Sequence, residues 1–279
     1  MNSKELVRAA IRFECPERLP LEFPQLGMTD IHPVAWNQIG AGYGKGRTLD
    51  EWGCTWERSD VVNFGQVVGH PLADWKALDH FRWPDPDDPV LYEGMEARFE
   101  GGEDKFVQTS IFMLLFERMH ALHGFQNTLE DLYLERERLE ALADRIIEYD
   151  IRIIENIAAR FPGKVDGFWF TDDWGTEINT FISTALFVDF FQPRYRKIFD
   201  ACHRAGWLIT MHSCGKVNNF IGLLKEAGAD CMNLQQPRAW VSSRLASSMR
   251  GKSASPRCAT SKRRCHSRER NRSRRKPSC

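Results

Sequence analysis

The residues best suited to chemistry lie in the stretch 208–215, where a short apolar run ends in His212-Ser213-Cys214-Gly215. If 208–211 is a strand, side chains two residues apart point the same way, so His212 and Cys214 lie side by side at its carboxyl end. Imidazole and thiolate are ligands that Zn²⁺ prefers. The pair therefore predicts part of a zinc site. A buried thiol beside a capping histidine is the structural alternative.

The order of elements in the second half of the chain predicts a parallel sheet. Apolar residues at helical spacing predict helices, with one break near Leu134, over residues 129–161, 185–205 and 216–227. Short apolar runs predict strands at 165–170, 208–211 and 231–234. This alternation is typical of right-handed βαβ units, in which ligands bind at the carboxyl ends of the strands.

Each of the three predicted strands ends in polar residues. Asp172 and Asp173 follow the first strand, and Gln235 and Gln236 follow the third. We predict that the two aspartates are catalytic, by orienting a substrate or supporting a metal from its outer shell; helix capping or a turn is an equal alternative. Trp174, Gln235 and Gln236 are predicted to contact the substrate, although tryptophans are more typical of a core.

The charge distribution divides the chain in two. The whole sequence of 279 residues has a formal net charge of +0, yet residues 241–279 hold thirteen Lys or Arg and a single acid. We predict a domain over 1–240 and a basic, Ser/Arg-rich, disordered or frame-shifted tail over 241–279. Unevenly spaced cysteines and the lack of a long apolar run or signal peptide predict reduced thiols, no membrane span and a cytoplasmic protein.

Several motifs resemble the uroporphyrinogen decarboxylase-like superfamily, which includes corrinoid-dependent methyltransferases. The two most specific are Thr171-Asp172-Asp173-Trp174-Gly175 and His212-Ser213-Cys214-Gly215. Supporting motifs are Pro16-Glu17-Arg18-Leu19-Pro20-Leu21, Asp50-Glu51-Trp52-Gly53, Gly69-His70-Pro71-Leu72 and Trp83-Pro84-Asp85-Pro86. The resemblance implies an α/β fold of the (β/α)₈ TIM-barrel type with extra N-terminal helices and a site at the carboxyl face. It also implies that the last two βα units are missing here, because the family pattern stops near Trp240.

The methyltransferase branch resembles this chain in its His-x-Cys, which implies His212 and Cys214 as zinc ligands. In that branch zinc activates a thiol acceptor, which takes the methyl group of methylcobalamin or a related donor carried by a corrinoid protein. The branch has a further cysteine ligand farther along than this chain extends, so the predicted site is incomplete. The chain is predicted to act on a small molecule.

Two alternatives to a methyltransferase are considered. The first is uroporphyrinogen decarboxylase, a lyase of heme biosynthesis, which would need no metal. Family members that bind the porphyrinogen carboxylates have an arginine-rich loop, whereas the corresponding residues 24–30 of this chain contain no arginine. The second alternative is a non-catalytic protein whose basic tail contacts nucleic acid.

Overall fold

The computed structural model describes residues 1–38, 46–58, 65–234 and 236. The chain divides into two compact units. Among the described residues, the first unit comprises 1–32 and 104–106, and the second comprises those of 33–103 and 107–236. Gln235 and the predicted tail over 241–279 lie outside the described residues, so the prediction of a disordered or frame-shifted tail stays a prediction.

The first unit is a helix followed by a small hairpin. Helix α1 (Ser3–Ile11) begins with a capping box between Asn2 and Glu5. Strands β1 (Glu22–Phe23) and β2 (Met28–Thr29) pair antiparallel around the one-turn 3₁₀ helix Pro24–Leu26. The helix ends at Ile11, and Phe13, two residues further on, has a positive φ of 56°.

A buried carboxylate holds this unit together. Asp30 accepts two hydrogen bonds from Arg18, both 2.6 Å long, one from the Ser3 hydroxyl at 2.5 Å and one from the Leu21 N–H at 2.7 Å. The Arg18 guanidinium holds the pKa of Asp30 well below its ordinary value. Asp30 therefore joins three parts of the N-terminal segment that are distant in sequence.

The second unit begins at the end of β3 (Ile31–Pro33) and contains an antiparallel and a parallel sheet. The antiparallel sheet consists of β4 (Gly46–Leu49), β5 (Thr55–Arg58) and β6 (Gln66–Gly69). One-turn and two-turn 3₁₀ helices then follow at Trp75–His80, Pro89–Tyr92 and Glu96–Phe99. In the remaining elements, each strand is separated from the next by one or more helices, as in βαβ units. These elements are β7 (Phe106–Ile111), α2 (Phe116–His123), α3 (Phe125–Leu134), α4 (Arg136–Arg160), β8 (Gly167–Thr171), α5 (Thr184–Leu186), a π-helical turn (Phe187–Phe191), α6 (Gln192–Arg204), β9 (Leu208–His212), α7 (Asn218–Ala227) and β10 (Cys231–Asn233).

Strands β7 to β10 are parallel and lie in chain order, as the alternation of elements predicts. The registers pair Thr171 with His212 and His212 with Asn233, so the last residues of three strands lie in one row. At the other edge of β7, the Val34 N–H donates to the Gln108 carbonyl at 2.8 Å. An α/β fold with a central parallel sheet is thus confirmed. Closure into an eight-stranded barrel stays a prediction.

The two faces of the parallel sheet differ in polarity. One face carries Phe168, Phe170, Ile209 and Met211, each with no exposed surface, and packs beneath the helices. Because paired residues of parallel strands share a face, the opposite face carries Trp169 and Thr171 beside Thr210 and His212. This polar face ends at the carboxyl edge of the sheet, where the predicted site residues follow.

The long helices are those that the periodicity predicts. The break near Leu134 is confirmed, because α3 ends at Leu134 and α4 starts at Arg136. Buried side chains of α4 recur every three or four residues, among them Leu139, Leu142, Ile146, Ile153 and Ile157. In the described part of the chain, no helix combines the length and the apolar character needed to cross a membrane.

Candidate metal centre

Two loops at the carboxyl edge of the sheet are joined by hydrogen bonds. The Asp172 N–H donates to the His212 carbonyl at 3.1 Å, and the Trp174 N–H donates to the Ser213 hydroxyl at 3.1 Å. The Cys214 N–H donates to the Asp173 carboxylate at 2.7 Å. The loops that follow β8 and β9 therefore run side by side and bring Asp173 next to the His-x-Cys motif.

Two glycines allow this approach. Gly215 has a φ of +86°, and a Cβ at this position would overlap backbone atoms of Gly175. A Cβ at Gly175 would in turn lie 3.0 Å from the Lys216 nitrogen. Only residues without a side chain permit the two loops to pack this closely.

Asp173, His212 and Cys214 place three potential metal ligands together. One ligand atom from each residue lies within 4.8 Å of the other two. The His212 Nε2 is 3.4 Å from the Cys214 Sγ and 3.5 Å from the Asp173 Oδ1. The sequence predicted that His212 and Cys214 point the same way, and the structure places them so; it adds Asp173 as a third group of the same cluster.

The cluster lies in a partly buried, acidic environment. His212 is 8% exposed, whereas Asp173 and Cys214 are partly exposed. Burial, and then the nearby Asp173 carboxylate, raises the pKa of the Cys214 thiol to about 12. Burial and the carboxylates of Asp172 and Asp173 also raise the pKa of Glu117 well above its ordinary value. A cation bound here would offset the cost of ionising these acidic groups.

The Asp172 carboxylate, unlike that of Asp173, is fully buried and does not face the cluster. It accepts hydrogen bonds from the backbone N–H groups of Leu115, Phe116 and Glu117 at 3.0, 2.8 and 2.7 Å. The Tyr195 hydroxyl donates a fourth at 2.5 Å. Asp172 thus caps the N-terminus of α2, which is the structural alternative that the sequence left open. Burial raises the pKa of Asp172, while these hydrogen bonds act in the opposite direction.

Trp174 lies in the core. Its ring is fully buried, stacks on Phe116 at a centroid distance of 4.3 Å and packs edge-on against Phe191 at 4.6 Å. Its indole N–H donates to the Tyr195 hydroxyl at 2.9 Å. A side chain without exposed surface cannot touch a substrate in this conformation, so its position does not support the prediction of substrate contact.

Of the two predicted glutamines, Gln236 is exposed and its side-chain oxygen accepts the Gly215 N–H. Asn233 belongs to no motif in the sequence, yet its side-chain oxygen lies 2.9 Å from the His212 Nδ1. The signal that identifies it is its place in the strand parallel to β9. Glu117 was missed as well, because it lies in a helix that the sequence does not connect to the strand ends.

A family model described as Uroporphyrinogen decarboxylase (URO-D) matches residues 107–248, about half of the chain. The chain belongs to the uroporphyrinogen decarboxylase family. The match contains β7 except its first residue, all of β8 to β10 and every residue of the candidate centre. It runs past the boundary that the sequence predicted near Trp240. No curated protein sequence matches the chain.

A solved structure of a methyltransferase from Methanosarcina mazei shares the fold. The two chains are 15% identical, the TM-score is 0.60, and the similarity covers 85% of this chain and 77% of the other. At this identity the likeness shows the fold alone.

Within this family fold, the donor atoms of the centre match the ligand types of zinc. One nitrogen, one sulfur and one carboxylate oxygen are available, and all three are established zinc ligands. Three protein ligands would leave a fourth position open, as in catalytic rather than structural zinc sites. The cluster therefore suits a Zn²⁺ ion that also binds a substrate atom.

Proposed function

We propose that this chain is a zinc-dependent methyltransferase that moves a methyl group from a corrinoid to a thiol acceptor, with Asp173, His212 and Cys214 as the zinc ligands. The observation that carries the proposal is the convergence of three donor atoms within 4.8 Å at the carboxyl edge of the parallel sheet. Membership of the uroporphyrinogen decarboxylase family supports it, because this edge is where parallel α/β folds bind ligands. We also propose that the parallel sheet belongs to a (β/α)₈ barrel, the fold that the family resemblance implies.

We propose Asp173 as the third zinc ligand. The family resemblance implies His212 and Cys214 as two ligands of the zinc ion. The Asp173 carboxylate lies beside them, 3.5 Å from the His212 Nε2, which supports this role. An oxygen ligand is harder than a thiolate and leaves more positive charge on the zinc ion.

When bound, zinc would act as a Lewis acid that lowers the pKa of a thiol acceptor. The protein's own groups give this site its shape. Asp172 fixes the start of α2 and, through its backbone N–H, the end of β9. The paired glycines 175 and 215 keep the two ligand-bearing loops in contact. In the overall transfer the methyl group moves from cobalt to sulfur, the electron pair of the cobalt–carbon bond stays on cobalt, and the thiol proton leaves to solvent.

The proposal includes two reaction partners. The acceptor is a small thiol, and the donor is a methylated corrinoid that is free or bound to a corrinoid protein. A zinc ion held by Asp173, His212 and Cys214 would have a further position available for the acceptor. Methylcobalamin is therefore the donor to use in a first assay, with a simple thiol as the acceptor.

Zinc analysis of the purified protein tests the proposal. We expect about one equivalent of zinc in the wild type and a loss of zinc in His212→Ala and Cys214→Ala. His203→Ala and Cys231→Ala are matched controls, because His203 pairs with Asp230 and Cys231 is a free thiol in β10. Both controls should keep the zinc. A wild type without zinc, or equal loss in all four variants, would refute the site.

Methyl transfer from methylcobalamin to a thiol, abolished in His212→Ala, tests the activity itself. Decarboxylation of uroporphyrinogen by metal-free protein would instead support the alternative enzyme. Residues 24–30 argue against that outcome, because they form a 3₁₀ turn and a short strand without an arginine for the substrate carboxylates. Nucleic-acid binding through residues 241–279 remains a prediction, and salt-sensitive RNA binding lost on their deletion would support it.

A further inference from the structure

Asn233 is tied to His212 by both its backbone and its side chain. The register of the parallel strands β9 and β10 pairs Asn233 with His212, and the Ser213 N–H donates to the Asn233 carbonyl at 3.3 Å. The Asn233 Oδ1 lies 2.9 Å from the His212 Nδ1. We infer that Asn233 is a positioning residue that fixes the tautomer of His212, so that Nε2 faces Asp173 and Cys214 with a free lone pair. The role in metal binding rests on the proposed zinc site.

The distances decide which ring nitrogen carries hydrogen. A neutral imidazole has one N–H, and the other nitrogen is an acceptor. The contact from Nδ1 to the Asn233 oxygen has an ordinary hydrogen-bond length of 2.9 Å, whereas the 3.5 Å from Nε2 to Asp173 is too long for a strong one. Hydrogen on Nδ1 therefore satisfies the shorter contact. Nε2 then accepts from the Cys214 thiol, 3.4 Å away, until a cation replaces that proton.

The surroundings of His212 hold the imidazole in this orientation. The residue is 8% exposed, which leaves little room for water to compete with the asparagine. The ring of Trp169 packs edge-on beside the imidazole at a centroid distance of 6.4 Å. A metal-binding histidine commonly donates its other N–H to an oxygen of the protein, which sets the ring orientation. Asn233 occupies this place here and, as a neutral amide, adds no charge to a centre that already contains Asp173.

Nitrogen-15 NMR of histidine-labelled, metal-free protein at pH 8 tests the tautomer directly, because a ring nitrogen that carries hydrogen and one that does not differ in chemical shift. The His212 signals are assigned by their absence in His212→Ala. We expect hydrogen on Nδ1 in the wild type and in Asn233→Asp, which keeps the acceptor. Asn233→Leu, of similar size but without an acceptor, should show a mixture of tautomers. Hydrogen on Nε2 in the wild type, which would place the amide the other way round, overturns the inference.

Zinc affinity provides the second measurement. We expect Asn233→Leu to bind zinc about 10–100-fold more weakly than the wild type, and Asn233→Asp to restore binding. Asn219→Leu, at an exposed position in the first turn of α7, is the matched control and should bind like the wild type. If Asn233→Leu does not fold, as judged by thermal unfolding, Asn233→Ala takes its place. Wild-type affinity in the folded variants would contradict the inference.

The two measurements separate this inference from the proposed function. The tautomer is observed without metal, so a wild type that binds no zinc would refute the methyltransferase proposal and still show whether Asn233 orients His212. Conversely, zinc bound with equal affinity by wild type and Asn233→Leu would keep the metal site and exclude the role of Asn233.

Discussion

Asp172 and Asp173 are adjacent in the chain, yet their carboxylates belong to different parts of the molecule. Asp172 is fully buried and caps α2 through the backbone N–H groups of Leu115, Phe116 and Glu117. Asp173 is partly exposed and accepts the Cys214 N–H beside the His212 Nε2. The alternating directions of successive side chains in an extended segment explain this division. One aspartate shapes the scaffold, and its neighbour faces the proposed metal.

The different positions of Asp172 and Asp173 predict different effects for their substitution by asparagine. Asp172→Asn places an NH₂ group among backbone N–H donors and should lower the free energy of unfolding by about 2 kcal/mol. Asp173→Asn should leave stability within about 0.5 kcal/mol and weaken zinc binding beyond the roughly 10–100-fold typical of outer-shell changes. Chemical denaturation and metal titration of both variants measure these quantities. Equal stability loss in the two would contradict the assignment.

The contact between Gly175 and Gly215 predicts a second sensitive point. In Gly215→Ala the new methyl group would overlap the Gly175 backbone, and the φ of +86° disfavours any L side chain. The two loops must then separate, which should cost about 2 kcal/mol of stability and weaken zinc binding. Gly222→Ala on α7 is the control, since nothing lies within 4 Å of the place that its new methyl group would take. A Gly215→Ala protein as stable as this control would show that the two loops can accommodate the added methyl group, which would contradict the prediction.

Glu51 is a partly buried acid close to a buried ion pair in the second unit. The Arg118 guanidinium donates to Asp50 at 2.9 Å, and one oxygen of Glu51 is buried without a hydrogen-bond partner in the described structure. Burial raises the pKa of Glu51 to about 7, although Arg118 acts in the opposite direction. Glu51 is therefore protonated in the folded chain over a pH range in which it is ionised in the unfolded chain.

The sign of the resulting pH dependence follows from proton binding. Between pH 4.5 and 7 the folded state binds more protons at Glu51 than the unfolded state, so its contribution to stability falls as the pH rises through this window. Glu51→Gln should therefore be more stable than the wild type by about 2 kcal/mol at pH 8 and nearly equal to it at pH 4. Unfolding titrations at both pH values provide the measurement. The exposed Glu226→Gln should show no such difference, and a gain in Glu51→Gln that is independent of pH would exclude this explanation.

The start of α2 shows why part of the fold could not be predicted from the sequence. The apolar run at 112–122 predicts a helix throughout, but α2 begins at Phe116. No local residue caps it, because the capping carboxylate is that of Asp172, more than fifty positions later in the chain. A cap supplied from another strand leaves no signal beside the helix. Where the signals are local, as in the break at Leu134, sequence and structure agree.

The candidate metal centre, too, could be predicted only in part from the sequence. The period-2 geometry of one strand is enough to predict that His212 and Cys214 point the same way. The contributions of Asp173 and Asn233 depend on how β9 lies against β8 and β10, and on the close contact of two glycines. Register between strands is set by the whole sheet. One strand therefore predicts two candidate ligands, whereas the positions of Asp173 and Asn233 beside them emerge only from the structure.

X-ray absorption at the zinc edge of the zinc-loaded protein reports the atoms bound to the metal and so tests the proposed ligand set. We expect one sulfur scatterer at about 2.3 Å, with nitrogen and oxygen neighbours at about 2.0–2.2 Å. The sulfur signal should disappear in Cys214→Ser and persist in Cys231→Ser. A zinc environment without sulfur in the wild type, or a sulfur signal that survives the loss of Cys214, would refute Cys214 as a ligand.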